Sequence, residues 1–256
     1  NNNRTIRKIF FRKEFNINKK NKPFSCLILA GGLGQRLLPI TQNIPKPLIS
    51  FENTPYIYKL IKKILFYNVE KIFVSIFYKK RELITSLKKN FPEEIKNKKI
   101  VFLSEKKPLG TAGSIKLIKD KIENLLVINS DVIFNFKLDF LFDAHYEMKN
   151  YLTIVCSRLE ERIPYGVIHN NKFKLKKIEE KPSFNYLINT GIYLTSSKIQ
   201  KFIKKNNKTQ MTDLINLVTK NKKKVGLFPL NENIIDYGTH ENLKEAKKNF
   251  EKYFYE

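Results

Sequence analysis

The chain has 256 residues, 42% of them apolar, enough to fill the core of one large α/β domain. Its 49 basic against 24 acidic residues leave a net charge of +25, which favours polyanions of every kind. No apolar run nears the roughly 20 residues that a bilayer-spanning helix needs, and three scattered histidines, His145, His169 and His240, give no metal-ligand spacing.

Nucleic acid is the first partner class that such a charge suggests. Against it, the basic residues are nearly all lysine and are spread along the whole chain, whereas arginine, the usual fork for bases and phosphates, is scarce. The abundance of Lys, Asn, Ile and Phe together reads as a bias of the coding DNA. Cys26 and Cys156 both lie in apolar runs and read as buried thiols of a reducing cytoplasm.

In chain order, residues 1–23 are polar and basic around one apolar patch at 9–11. They read as a linker or the remnant of an upstream domain, with the globular unit at 24–256. The apolar run 26–30 predicts a buried strand of a parallel sheet, and it breaks into Gly31, Gly32 and Gly34. Residues 55–67 carry Ile57, Leu60, Ile61, Ile64 and Leu65 at helical spacing. Then come a strand at 72–77, a polar helix at 81–89, a strand at 100–103, a helix at 112–122, a strand at 125–129 and a helix at 138–148. This alternation predicts a Rossmann-like, mostly parallel twisted sheet with helices on both faces. Ligands of such sheets bind beyond the carboxyl ends of the strands, where the glycine loop, Glu105 and Asp131 all fall.

From residue 151 short strands dominate, at 152–156, 166–169, 173–178 and 187–194. Helices follow at 197–204 and 211–220, then strands at 225–229 and 233–236, and a closing helix from 240 to about 250. This half predicts a smaller mixed α/β subdomain laid beside the first sheet.

Residues 27–49 read L-I-L-A-G-G-L-G-Q-R-L-L-P-I-T-Q-N-I-P-K-P-L-I. Glycines after a strand expose backbone N–H groups that suit a phosphate chain. Arg36 and Lys46 add two cations, and Pro39, Pro45 and Pro47 stiffen the segment. Arg36 stands where the dinucleotide fingerprint has its third glycine, and no Gly-Lys-Ser/Thr of a P-loop is present. The glycines alone also fit a flexible surface turn. The whole string resembles the signature of the sugar-1-phosphate nucleotidylyltransferases, G-G-x-G-x-R-L-x-P-x-T-x-x-x-P-K-P-L, with every fixed position filled. The resemblance extends from residue 24 to about 250. It implies the nucleotide-diphospho-sugar transferase fold, with a nucleotide-binding half at 24–150 and a sugar-phosphate-binding half at 151–256. It also implies that Leu29, Ala30, Gly31, Gly32, Gly34 and Arg36 meet the nucleotide and that Arg36 and Lys46 hold its triphosphate.

The second motif, E-K-K-P-L-G-T-A-G at 105–113, is similar to the family's base-reading segment and adds Glu105, Gly110 and Thr111 to the nucleotide set. A carboxylate only accepts hydrogen bonds, and guanine offers two neighbouring donors where uracil flanks one donor with carbonyls. Glu105 therefore predicts a preference for GTP; as a solvated loop residue beside Lys106 and Lys107 it would predict nothing. Asp131 ends the strand L-V-I-N-S-D, and Asp236 ends I-I-D-Y-G-T, similar to the family's D-x-G-T. As a pair they suit Mg²⁺, which takes one or two carboxylates with phosphate oxygens; singly, either fits a turn or cap. The family usually has glycine where Ser130 stands. Segments P-Y-G-V-I, I-E-E-K-P and I-N-T-G-I-Y resemble the sugar-phosphate pocket, which implies that Gly166, Glu180, Asn189 and Thr190 hold the sugar and Lys181 its phosphate. An exposed charged turn is the plain alternative for Glu180 and Lys181.

The resemblance thus implies Mg²⁺-dependent transfer of a nucleoside monophosphate to a sugar 1-phosphate, carried by Arg36, Lys46, Asp131 and Lys181. Within the family the motifs look like those of guanylyltransferase-type members linked to upstream CBS domains, which make GDP-activated amino sugars such as GDP-glucosamine for legionaminic acid. Mannose-1-phosphate is the other expected acceptor. The expected partners are GTP and a sugar 1-phosphate, in the cytoplasm, with no nucleic acid and no membrane; homo-oligomerisation is open. A uridylyl- or thymidylyltransferase is the alternative within the family, and a regulatory scaffold or basic nucleic-acid binder the alternatives outside it.

Overall fold

The computed structural model describes residues 22–205, 207–231 and 233–255, so the expected linker falls almost wholly outside the described residues. At its centre is β1 (Phe24–Leu29), the strand predicted ahead of the glycines. Its residues alternate between two cores. Cys26 and Ile28 face one, and Leu27 faces the other. Parallel neighbours flank it: β2 (Val69–Ile76) with β3 (Ile100–Ser104) beyond, and on the other side β4 (Leu125–Asn129). A short β5 (Val132–Phe134) follows β4 directly.

The second half joins the same sheet. Its strands are β6 (Leu152–Arg162), β7 (Gly166–Asn171), β8 (Lys174–Glu180), β9 (Ser183–Thr195), β10 (Val225–Pro229) and β11 (Ile234–Asp236). Among the described residues the main sheet has seven strands in the order β10-β6-β9-β4-β1-β2-β3. Only β9 runs antiparallel to its neighbours, β4 and β6. β7 and β8 form a separate hairpin, and β11 pairs with β5.

Helices cover both faces. On one lie α1 (Tyr56–Leu65), α2 (Lys80–Asn90), α3 (Leu138–Glu147) and α5 (His240–Lys248); Ile57, Leu60, Ile61 and Ile64 of α1 are fully buried there. On the other lies α4 (Met211–Lys220), which buries Met211, Leu214 and Val218. No helix among the described residues is long and apolar enough to cross a membrane.

Two predicted helices are corrected. The segment expected to be helical over 112–122 holds one turn, Gly110–Gly113, and a 3-10 turn, Ser114–Leu117. Side chains from residues 197–200, distant in sequence, take over its backbone groups. Gln200 Nε2 donates to the carbonyls of Ile115 and Ile118, each at 2.9 Å, and Ser197 Oγ accepts from the Ile122 N–H at 3.0 Å. The segment at 197–204 is itself a 3-10 helix, Ser197–Phe202.

Candidate functional site

A cavity of about 600 Å³ opens beyond the carboxyl ends of β1, β2 and β4. The glycine loop forms its floor. Gly34 adopts φ +67°, and a Cβ there would press on Thr41, whose hydroxyl donates to the Gly34 carbonyl at 2.7 Å. That conformation is strained for any other residue. A Cβ on Gly32 would meet nothing within 4 Å, so its backbone faces open space. Leu29, Ala30 and Gly31 complete this wall.

Four charged side chains gather at one end. Lys46 and Asp131 form an ion pair, their side chains only 12% and 16% exposed. Asp236 is not on the cavity wall, but it is close behind. A Cβ built on Gly238, which does line the cavity, would lie 2.7 Å from Asp236 Oδ1, 2.8 Å from Arg36 Nη2 and 3.0 Å from Lys46 Nζ. Arg36, Lys46 and Asp236 therefore crowd one spot, and Asp131 pairs with the lysine. Asp236 also plays the local part open to it, accepting from the Gly238 N–H at 3.0 Å.

Glu105 lies at the other end and is buried, with 9% exposure, so it is not a solvated loop residue. Its N–H donates to the Ile76 carbonyl at 2.9 Å, which fixes it at the end of β2. Its Oε1 accepts from the Ser75 hydroxyl at 2.5 Å and its Oε2 from the Leu109 N–H at 2.8 Å. Each oxygen keeps one further lone pair for a ligand. Gly110 and Thr111 lie beside it on the wall.

A strap from the second half crosses this end. Gly110, at φ +77°, packs against the Thr209 carbonyl with no room for a Cβ. Thr209 N–H donates to the Leu109 carbonyl at 2.8 Å, and Ala112 N–H donates back to the Thr209 carbonyl at 3.0 Å. Gln210 Oε1 accepts from the Thr111 N–H and hydroxyl while capping α4. Lys208 and Gln210 thereby reach the cavity. Sequence reasoning missed both, since they sit in a uniformly polar run. It also missed Ser75, although a serine inside the apolar run F-V-S-I was a visible signal.

Of the residues expected to hold the sugar phosphate, Gly166, Glu180, Lys181, Asn189 and Thr190, none is on the wall of this cavity. Gly166 pairs with Glu180 across the β7–β8 hairpin. Glu180 and Lys181 are exposed, their charged atoms 4.0 Å apart, and Lys181 turns the chain at φ +45°. Asn189 and Thr190 occupy the irregular stretch of β9 where its register against β6 shifts. Asn189 Nδ2 donates to the Tyr193 hydroxyl at 2.7 Å, and Thr190 Oγ1 donates to the Val155 carbonyl at 2.8 Å.

Beneath the charged end is a buried aromatic layer. Tyr56 and Tyr237 are fully buried, with ring centroids 5.5 Å apart, and Phe51 packs on both. Burial first, and the nearby Asp131 charge second, hold both phenols protonated well above their ordinary range.

The sequence model of the nucleotidyl transferase family matches residues 25–253. A mannose-1-phosphate guanyltransferase of Emericella nidulans is 34% identical over 70% of the chain. Mannose-1-phosphate guanylyltransferase 1 of Arabidopsis thaliana is 34% identical over 68%. The chain spans about half the length of these relatives, 51% and 50% respectively. The crystal structure of HddC from Yersinia pseudotuberculosis complexed with GMP-PN is similar over 89% of this chain and 99% of its own, at 28% identity and a TM-score of 0.66.

Proposed function

Since the chain belongs to the nucleotidyl transferase family, we propose that it is a sugar-1-phosphate guanylyltransferase. It moves GMP from GTP to a hexose or amino-hexose 1-phosphate, glucosamine-1-phosphate or mannose-1-phosphate, and releases pyrophosphate. One observation carries the reading. A single cavity at the sheet's carboxyl rim has an acceptor-only side chain, Glu105, at one end and the cluster of Arg36, Lys46 and Asp131 at the other, with a bare glycine loop between. A guanine base, its sugar and a triphosphate have that order of needs. The names of the relatives and the GMP-PN of the HddC structure agree with it.

The chemistry asks little of a base. The attacking oxygen belongs to a phosphate monoester whose second pKa is near 6, so it is mostly dianionic at pH 7. Among the described residues no histidine lines the cavity. The oxygen attacks the α-phosphorus in line and pyrophosphate leaves. Catalysis then consists of positioning and of neutralising crowded negative charge. Arg36 and Lys46 hold the triphosphate, Lys181 the incoming phosphate, and Glu105 accepts from guanine N1–H and the 2-amino group. Gly166, Glu180, Asn189 and Thr190 frame the sugar.

Nucleotidyl transferases generally use a divalent ion. Asp131 and Asp236 fit Mg²⁺ by donor type, and the Asp131 carboxylate already accepts a cation, the Lys46 ammonium. Those two aspartates would hold the ion, which supplies neutralisation of the triphosphate. A cytoplasmic setting matches these substrates.

A pyrophosphate-release screen tests the proposal, with four nucleoside triphosphates against mannose-, glucose-, glucosamine- and N-acetylglucosamine-1-phosphate. GTP with glucosamine- or mannose-1-phosphate should turn over fastest. A faster UTP or dTTP reaction would move the enzyme to the uridylyl or thymidylyl class, and no release with any pair would overturn the reading.

A further inference from the structure

We propose that Tyr237 is a positioning residue that fixes the Lys46–Asp131 pair from beneath; its catalytic consequence rests on the function proposed above. Tyr237 follows Asp236 in sequence but points the other way, into the core, where it is fully buried. Its hydroxyl donates to the Ser130 carbonyl at 3.1 Å, and the Lys46 carbonyl lies 3.5 Å from the same oxygen. Its backbone N–H donates to the Asp131 carbonyl at 3.0 Å. The Lys46 ammonium stands 5.6 Å from the centre of its ring.

Tyr56 acts one residue further on, where its hydroxyl donates to the Val132 carbonyl. The carbonyls of residues 130, 131 and 132 are thus each claimed by one of two neighbouring tyrosines. Asp131 sits in the middle of that run, so its carboxylate has little freedom to wander from Lys46. Lys46 lies 85 residues away in sequence, and Tyr237 touches both partners. Positioning of this kind matters because a reacting phosphate is sensitive to small displacements of the charges that hold it. A phenylalanine would keep the ring and its packing but leave the buried Ser130 carbonyl without its donor.

The test compares Tyr237→Phe with Phe250→Leu. Phe250 stacks on Phe51, ring centroids 5.0 Å apart, so Phe250→Leu loosens the same aromatic layer, and its side chain can form no hydrogen bond or ion pair with Lys46, Ser130 or Asp131. Tyr237→Phe should lower kcat about tenfold while the KM for nucleotide stays within about twofold. Phe250→Leu should match or exceed its loss of Tm yet keep kcat within about twofold. A wild-type kcat for Tyr237→Phe, or an equal fall in Phe250→Leu, would overturn the proposal. Amide exchange gives a readout free of catalysis. In Tyr237→Phe the amides of residues 237 and 238 should exchange at least tenfold faster, in Phe250→Leu they should not, and unchanged protection in the first variant would overturn the role. If the wild-type chain turns over no substrate pair, the proposed function fails and exchange alone decides on Tyr237.

Discussion

Glu105 combines two duties in one side chain. Ser75 and Leu109 each take one of its oxygens, so the carboxylate braces the loop that follows β3 while the residue itself lines the cavity. Glutamine can keep both inner bonds, with its oxygen on the Leu109 N–H and its amide donating to a Ser75 hydroxyl turned acceptor. What changes is the outward face, which gains a donor. Glu105→Gln should therefore cost less than about 1 kcal/mol of stability while the GTP/UTP ratio of kcat/KM falls tenfold or more, and an unmoved ratio would remove Glu105 from base recognition. Arg36 and Lys46 separate differently. Arg36 is exposed, so Arg36→Ala should leave Tm nearly unchanged and lower kcat/KM at least a hundredfold, about 2.7 kcal/mol. Lys46 is paired in a largely buried place, so Lys46→Met should do the same to kcat/KM and also lower stability by about 2–4 kcal/mol, because it strands Asp131. Denaturant titration beside steady-state kinetics separates the two cases. Many of the cavity residues were legible in sequence because their motifs are local: the glycine loop, Arg36, Lys46, Glu105, Gly110 and Thr111 all line it. Tyr237 was not, because its role comes from packing against segments more than a hundred residues away.

Among the elements, those whose pattern is decided by a core were readable and those decided by partner side chains were not. The stripe of Ile57, Leu60, Ile61 and Ile64 predicts α1 to within two residues at either end, since that face meets the sheet and nothing else competes for it. Ile61→Ala should accordingly cost about 2–5 kcal/mol, read as a shift of the denaturant midpoint. The segment 112–122 also carries spaced apolar residues, Ala112, Ile115, Leu117, Ile118 and Ile122, but has a different fate. Gln200 supplies two donors to its carbonyls from outside, and the chain follows them out of helical geometry. No sequence window of ordinary length joins Gln200 to Ile115. Gln200→Ala should leave both carbonyls short of a partner and cost about 1–2 kcal/mol, and a loss below about 0.3 kcal/mol would show that the turn is held by Ala112 and Ile115 packing instead. The outer halves of β6 and β9 escaped prediction for a related reason. They pair with each other as far as Arg162 and Ser183, exposed on both sides, so no buried face imposes an alternation on their sequence.

At the scale of the molecule, the two halves share one sheet, and a buried polar link adds to that union. His145 on α3, in the first half, lies 2.8 Å through Nδ1 from the hydroxyl of Thr153 on β6, and Asn150 Nδ2 donates to the same hydroxyl at 3.0 Å. Burial pushes the His145 imidazole down to about 4, well below its ordinary value of 6.5. Above pH 6.5 the ring is neutral both folded and unfolded, so it adds no pH dependence there. Between pH 6.5 and 4 the unfolded chain takes up a proton that the folded chain declines, and stability falls with pH across that window. Below about pH 4 both forms are protonated and this slope ends. The loss should reach on the order of 2 kcal/mol, less than the full shift implies because part of the ring's surroundings admits solvent. His145→Asn removes the titrating group, and its urea midpoints should decline less than those of the wild type between pH 7 and 4.5. Since the strands of both halves form one continuous sheet, on which α3 packs, the acid-induced loss should appear as a single cooperative transition by both far-ultraviolet circular dichroism and tyrosine fluorescence. Equal pH slopes for the two proteins would place the acid sensitivity on carboxylates, and two separated transitions would mean that the shared sheet does not couple the halves.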